Sequence, residues 1–217
     1  MKISPTGKLE QALTWIDVLT VVAVLLFLAA FMLPRLVRPP DHRVHAISCV
    51  NNLKQVGLAA RIWSGDNGDQ FPMSVSTNQG GSMELALAGN AAFTFEVMSN
   101  ELSTPKVLVC VNDPTRNVAS DFHRLSRTNI SYFVGVDATE TNASMLLFGD
   151  RNITNSTRLH GGLLELTDSK PSGWTGEIHQ NAGNIALSDG SVQQLSTAGL
   201  REAVRSTGVV TNRLAVP

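Results

Sequence analysis

Hydrophobic residues fill an almost unbroken run near the amino terminus, from Leu13 to Pro34, with Asp17 as the one charged side chain before the proline. As a helix rising about 1.5 Å per residue, such a run reaches about 31 Å, which matches the hydrocarbon thickness of a bilayer. A secretory signal peptide has a shorter apolar core followed by a small-residue cleavage site. The pattern therefore predicts a retained membrane-spanning helix.

Two consecutive prolines, Pro39 and Pro40, follow this run. They remove amide donors and disfavour helix at the preceding residue, so we expect the helix to be kinked or broken between Pro34 and Pro40. Beyond them, apolar residues recur every three or four positions from Val50 to Trp63. This spacing predicts a second helix that covers a sheet with one face.

Short apolar runs in the rest of the chain predict strands at residues 106–110, 130–136, 144–149, 162–166 and 184–188. The last run leads into Asp189-Gly190 with alternating apolar residues on both sides, which is a strong hairpin signal. A helix is expected at about 197–206, and the tail after it is either an edge strand or frayed. The predicted fold class is α+β, with a long hydrophobic helix followed by a small antiparallel sheet domain.

Composition narrows the range of partners. The chain has 217 residues, 43% of them hydrophobic and 16% charged, and its formal net charge is −1. No basic run occurs, so we expect no nucleic-acid partner. The length beyond the hydrophobic run is enough for one core-forming domain of about 150 residues.

The chain contains two cysteines, Cys49 and Cys110. They can form a disulfide or remain two buried free thiols, because sequence does not show whether their Cα atoms lie within bonding range. A disulfide closing a loop of this length would stabilise the fold by about 4 kcal/mol in the entropic description.

The amino terminus resembles that of type IV pilins and type II secretion pseudopilins. A short polar leader, MKISPTGKLEQA, ends in the small residue Ala12. Counting from Leu13, the acid Asp17 is fifth and Pro34 is twenty-second. This resemblance implies cleavage between Ala12 and Leu13 by a prepilin peptidase, followed by methylation of the new terminus. It also implies that Asp17 supports assembly by pairing with the terminal ammonium of a neighbouring subunit.

A second resemblance lies towards the carboxyl terminus. His179 is followed, after nine residues, by Asp189 and Gly190, as in prepilin-like proteins with the same spacing, and the block CVNNLKQ precedes it in the expected order. The tip of a hairpin should lie more than about 10 Å from its start, which disfavours a catalytic or metal pair formed by His179 and Asp189. We therefore interpret all three residues as structural.

The resemblance implies a pilin-like domain organisation. Residues 1–12 would be the leader, 13–34 the transmembrane and assembly helix, 35–63 the stem helix region, and 64–217 the exported α+β domain. The implied location is the bacterial inner membrane, single-pass, with a cytoplasmic amino terminus and a periplasmic or extracellular domain. The implied partners are a prepilin peptidase, other pilin or pseudopilin subunits and the inner membrane.

The resulting hypothesis is a structural subunit, not an enzyme, of a type II secretion pseudopilus or a type IV pilus-like filament. No nucleophile elbow, metalloprotease motif or phosphate-binding glycine loop occurs in the sequence. The alternative is a membrane-tethered binding module that does not polymerise. It would hold a glycan at Trp174 or a cation at the loop containing Asp66, Asn67 and Asp69, where calcium is the candidate ion. For the structural subunit we expect no cofactor and no metal, and calcium belongs only to the alternative.

Overall fold

A computed structural model describes residues 15–36, 42–155, 160–170 and 172–217, and it describes their side chains except at 31–36, 42–46 and 160. The chain divides into two compact units, one before His42 and one from His42 to Pro217. The first contains helix α1, Trp15–Leu36, which continues through Pro34. The predicted break at Pro39-Pro40 lies outside the described residues.

All side chains described in α1, at residues 15–30, are exposed. In the part of the chain that the structure describes, no helix is both long and apolar enough to cross a membrane. This finding contradicts the predicted membrane-spanning helix and, with it, the single-pass inner-membrane location.

The second unit contains the remaining helices and all the strands described. The helices are α2 His42–Asp66, α3 Met83–Leu87, α4 Ala91–Val97, α5 Ser99–Leu102 and α6 Thr197–Ser206. The strands are β1 Tyr132–Gly135, β2 Leu146–Asp150, β3 Ile153–Thr154, β4 Leu163–Thr167, β5 Gly173–Trp174, β6 Ala182–Leu187, β7 Val192–Ser196 and β8 Thr211–Ala215.

Six of these strands form an antiparallel sheet in the order β4-β8-β1-β2-β6-β7, and β3 pairs with β5 separately. Successive side chains of a strand point to opposite faces, so each face has its own core. Tyr132 and Val134 of β1 belong to the core that includes α2, whereas Phe133 belongs to the core that includes α6. The sheet is therefore covered by helices on both faces.

Helix α2 packs on the sheet, as its apolar spacing predicts. Leu53, Val56 and Ala60 have no exposed area. The expected pilin-like fold, in which the long hydrophobic helix packs on the sheet, is nevertheless not shown. Helices α2 and α6 pack on the sheet, and α1 belongs to the other unit.

Most predicted elements of this unit are confirmed. Four strand predictions correspond to β1, β2, β4 and β6, the hairpin joins β6 to β7, and α6 has the predicted bounds. The Ser196 hydroxyl accepts a hydrogen bond from the Gly199 amide and caps α6. The buried residues Leu200 and Val204 lie one turn apart, on the face towards the sheet.

Two predictions of local structure are wrong. The apolar run 106–110 is not a strand, because Pro105 begins a short 3-10 helix, Pro105–Leu108, whose start is capped by the Thr104 hydroxyl. The tail is not an edge strand either. It forms β8, which lies between β4 and β1 inside the sheet, with Leu214 and Ala215 buried.

Candidate buried polar site

His179 lies inside the second unit, in the loop between β5 and β6, with a side chain only 3% exposed. Its Nε2 atom is 3.4 Å from Cys110 Sγ and 3.4 Å from the Asp150 carboxylate oxygen Oδ2. Its Nδ1 atom is 3.2 Å from the Asn112 side-chain amide. The histidine is therefore part of the core.

Asp150 ends β2 beside Asn184 of the neighbouring strand β6. The backbone amide of Asn184 donates to Asp150 Oδ2 at 2.6 Å, and its side-chain amide donates to the same oxygen at 2.9 Å. Asp150 Oδ1 has no hydrogen-bond partner among the described residues. A carboxyl group with one oxygen so placed is costly to ionise, since a buried charge loses its hydration.

The pKa values of Asp150 and His179 reflect this burial. Burial raises the pKa of Asp150 to about 7, against the two hydrogen bonds from Asn184, and the nearby negative charge of Asp113 adds to the rise. Burial also lowers the pKa of His179 below its ordinary value. Both changes favour the neutral form of each side chain.

Arg151 follows Asp150 and forms an ion pair with the fully buried Asp113. Its Nε donates to Asp113 Oδ2 at 2.7 Å and its Nη2 to Asp113 Oδ1 at 2.9 Å, a two-bond arrangement. Its Nη1 donates to the more exposed Glu177 at 2.8 Å. Burial acts to raise the pKa of Asp113, but the bonds from Arg151 and Thr115 outweigh it and lower that pKa.

The structure joins Cys49 of α2 to Cys110, with their Cα atoms 5.0 Å apart. Both cysteines are fully buried. The Cys110 amide donates to the Ser131 hydroxyl at 3.0 Å. This hydrogen bond holds the loop that contains Cys110 against the start of β1. In this oxidised state the two sulfurs bind each other, so the cluster offers no thiolate nucleophile.

We call the set Asp113, Asp150, Arg151, His179 and Asn184 the buried polar cluster. Of these five residues, the sequence pattern draws attention only to His179. A signal was present, because Asp150 and Arg151 directly follow the apolar strand run MLLFG, and adjacent charges at the end of a buried strand need partners. The partners come from distant loops, which the sequence pattern does not reveal.

The other two residues of the carboxy-terminal motif occupy the hairpin turn and contact different groups. The Asp189 side chain accepts from the Ser191 amide at 2.8 Å, and Gly190 has a φ of 86°, which favours glycine. Arg61 of α2 donates to the Asp189 carbonyl oxygen. The turn thus connects the hairpin to α2, and the motif's histidine has separate partners around the disulfide.

The residues that the alternative hypothesis assigns to glycan or cation binding lie in different surroundings. Trp174 is 5% exposed, and a Cβ added at Gly183 would lie 2.5 Å from its ring. A ring covered in this way is unsuited to stacking on a sugar. Asp66 is the last residue of α2, and Asp69 lies in the exposed turn after it. In that turn the Asn67 side-chain amide donates to the Trp63 carbonyl at 2.7 Å and caps the helix end.

The residues tied to assembly lie at the amino terminus. Asp17 is in the first turn of α1, where the helix dipole favours an acidic side chain. The predicted cleavage positions, Ala12 and Leu13, lie outside the described residues. Pro34 lies within α1, but its side chain is outside the description.

Comparisons of the chain with protein-family models, with curated proteins and with solved structures find no match. The resemblance to pilins and pseudopilins remains a prediction from the sequence.

Proposed function

We propose that the chain is a structural subunit that assembles through helix α1 into a pseudopilus-like or pilus-like filament. The observation that supports this proposal is the surface of α1. Its large apolar side chains are exposed along the described length, from Trp15 at 85% to Phe27 at 66% and Leu28 at 53%. The proposal concerns assembly between copies or with similar subunits.

The apolar side chains of α1 are not confined to one face. Between residues 15 and 30 the one charged residue is Asp17. A helix that packs only on its own domain needs one apolar stripe, whereas a helix that is apolar all round is stable when other apolar groups surround it. Covering each Leu, Val or Phe side chain contributes about 1.5–3 kcal/mol, so neighbouring helices of the same kind would gain substantially by packing together.

We call the second unit, His42–Pro217, the folded unit. In the proposed filament α1 forms the interior and the folded unit forms the outer surface. The sequence resemblance adds processing between Ala12 and Leu13 by a prepilin peptidase and a role for Asp17 near a neighbour's terminal ammonium. Other pilin or pseudopilin subunits would be the partners.

The test uses the full chain produced together with a prepilin peptidase, with assembly measured by sedimentation and by electron microscopy. Leu26 is 66% exposed in α1, and Leu26→Asp places a second charge in the proposed interior. Leu26→Met keeps an apolar side chain of similar volume. Val210→Asp is the matched control, because Val210 is 88% exposed in the folded unit.

We expect wild type, Leu26→Met and Val210→Asp to assemble, and Leu26→Asp to remain in small species with an unchanged circular dichroism spectrum of the folded unit. Assembly of Leu26→Asp at the wild-type level would contradict the proposal. A wild-type chain that stays monomeric after processing would contradict it as well.

A further inference from the structure

A second observation, independent of assembly, concerns the groups around the disulfide. Cys49, Cys110 and His179 each place one ligand-type atom within 4.8 Å of the others, and all three residues are buried. Thiolate sulfur and imidazole nitrogen are the ligands that zinc(II) prefers in structural sites. In the disulfide form the two sulfurs bind each other, so the ligand set becomes complete only on reduction.

The two distances measured from His179 Nε2 fit a tetrahedral centre. With Zn–S near 2.3 Å and Zn–N near 2.0 Å, tetrahedral geometry separates a sulfur from a nitrogen ligand by about 3.5 Å and a nitrogen from an oxygen ligand by about 3.4 Å. The observed distances from His179 Nε2 are 3.4 Å to Cys110 Sγ and 3.4 Å to Asp150 Oδ2. One imidazole nitrogen thus faces both a sulfur and a carboxylate oxygen at ligand spacing.

His179 is also held as a metal-binding histidine is usually held. A ligating histidine donates its other ring N–H to an oxygen, which fixes the ring and its tautomer. Asn112 lies 3.2 Å from Nδ1, and its side-chain amide can turn its oxygen towards an Nδ1–H. The Nε2 lone pair then faces Cys110 and Asp150 and accepts a hydrogen bond from the Asn184 side-chain amide at 3.2 Å, a bond that zinc would replace.

Asp150 lies beside His179 but outside the group of atoms within 4.8 Å of one another, so it is the candidate fourth ligand once reduction separates the two sulfurs. It is fully buried, and Oδ1 has no hydrogen-bond partner among the described residues. Asn184 already orients Oδ2 by two hydrogen bonds. A divalent cation beside this carboxylate would supply the positive charge that a buried anion needs.

A groove runs beside the two cysteines. It has a volume of about 320 Å³ and is lined by neighbours of both, including Ser48 next to Cys49, and Val109 and Val111 next to Cys110. Val111 is 56% exposed. The residue that directly follows Cys110 is therefore at the surface. Local opening of the loop that contains Cys110 would admit a small thiol or a metal ion.

We propose that reduction of the Cys49–Cys110 disulfide converts this cluster into a zinc(II) site, with Cys49 Sγ, Cys110 Sγ, His179 Nε2 and Asp150 as ligands. The reductant is a dithiol. It transfers two electrons and two protons by thiol–disulfide exchange, becomes a disulfide itself and leaves two cysteine thiols. Zinc then displaces the two thiol protons, so the chain has either a covalent link or a metal link between α2 and the loop before β1.

The test treats the full chain with dithiothreitol, removes it without oxygen and adds zinc(II) or cobalt(II). We expect one zinc per reduced chain, measured by competition with a coloured chelator, and none for the oxidised chain. Cobalt in the site should show the charge-transfer absorption of thiolate ligation and the visible bands of tetrahedral cobalt. A reduced chain that is folded but binds no zinc, or one that unfolds and is not restored by zinc, overturns the proposal.

Variants separate the site from unspecific metal binding. His179→Ala should weaken zinc binding by the reduced chain at least about tenfold. His123→Ala, which removes a histidine with an 87% exposed side chain, should leave the affinity unchanged. Asp150→Asn keeps the volume and should retain thiolate absorption with cobalt while altering the visible bands. Equal affinities in the His179 and His123 variants, or cobalt spectra of Asp150→Asn identical to wild type, contradict the ligand set.

Discussion

Helices α1 and α2 are of similar length, 22 and 25 residues, but they differ in how far their apolar side chains are buried. Every described side chain of α1 is exposed, whereas α2 buries Leu53, Val56 and Ala60 completely. Helix α2 is therefore stabilised by contacts within its own chain. The apolar side chains of α1 are exposed, and this difference is the observation that supports the proposed function.

The largest loss of stability should come from removing the disulfide, which links α2, but not α1, to another part of the chain. Replacing both Cys49 and Cys110 by alanine removes a link spanning 61 residues. We expect the free energy of unfolding to fall by about 4 kcal/mol, since the unfolded chain regains the entropy of an open loop. Urea unfolding followed by circular dichroism, with a metal chelator present, measures this loss. A loss below about 1 kcal/mol would mean that the disulfide hardly restricts the unfolded chain.

The buried polar cluster should make the folded unit sensitive to pH in a way that α1 is not. The unfolded carboxyl of Asp150 ionises near 3.8, whereas in the fold its pKa is about 7. The stabilising contribution of the neutral side chain is therefore complete below about pH 4 and is lost as the pH rises through 7, by up to about 4 kcal/mol.

Asp150→Asn is the control for this pH effect, because an amide does not ionise. Wild type should lose stability relative to Asp150→Asn as the pH rises from about 4 to 7, as measured by urea unfolding at each pH. The lowered pKa of His179 acts in the opposite direction, but that histidine is present in both proteins. A constant difference across this range would show that Asp150 ionises normally in the fold.

Two leucines of α2 test the burial comparison within one helix. Leu53 is fully buried and Leu58 is 58% exposed. Leu53→Ala should reduce the free energy of unfolding by about 3 kcal/mol through lost burial and a cavity. Leu58→Ala should change it by less than about 0.5 kcal/mol. Similar losses at both positions in urea unfolding would contradict the packing of α2 on the sheet.

The smallest effect is expected in α1. Leu25 is 59% exposed, about as much as Leu58. Leu25→Ala should leave the urea midpoint of the folded unit unchanged within about 0.5 kcal/mol, since the side chain adds nothing to that unit's core. A loss comparable with that of Leu53→Ala would show that α1 is part of the folded unit's core.

Much of the folded unit is predictable from local patterns. Asp189-Gly190 indicates a hairpin, and Ser196 with the spacing of Leu200 and Val204 indicates α6, because turn and cap chemistry acts within a few residues. Pro105 shows the limit of an apolar run as a strand signal, since the proline and the Thr104 cap favour a 3-10 helix there. The interior position of β8 depends on pairing with distant strands, which local patterns do not encode.

The candidate site was less accessible from sequence. The spacing of His179 and Asp189 draws attention to a pair, but the structure gives them different partners, Cys110 and Asp150 for the first and Ser191 and Arg61 for the second. The contact of the buried His179 with the disulfide joins residues that are far apart in the sequence, so local patterns do not predict it. The apolar run of α1 also shows the limit of composition, because hydrophobic content alone does not specify what covers a helix.

Photocross-linking from α1 tests the central claim most directly. A photoreactive phenylalanine analogue replaces Phe27, which is 66% exposed, and keeps an aromatic side chain at that position. The account predicts cross-linked dimers and larger species of the processed full chain, with α1 peptides joined to α1 peptides in mass spectrometry. Cross-links confined to residues 42–217 of the same chain would contradict assembly through α1.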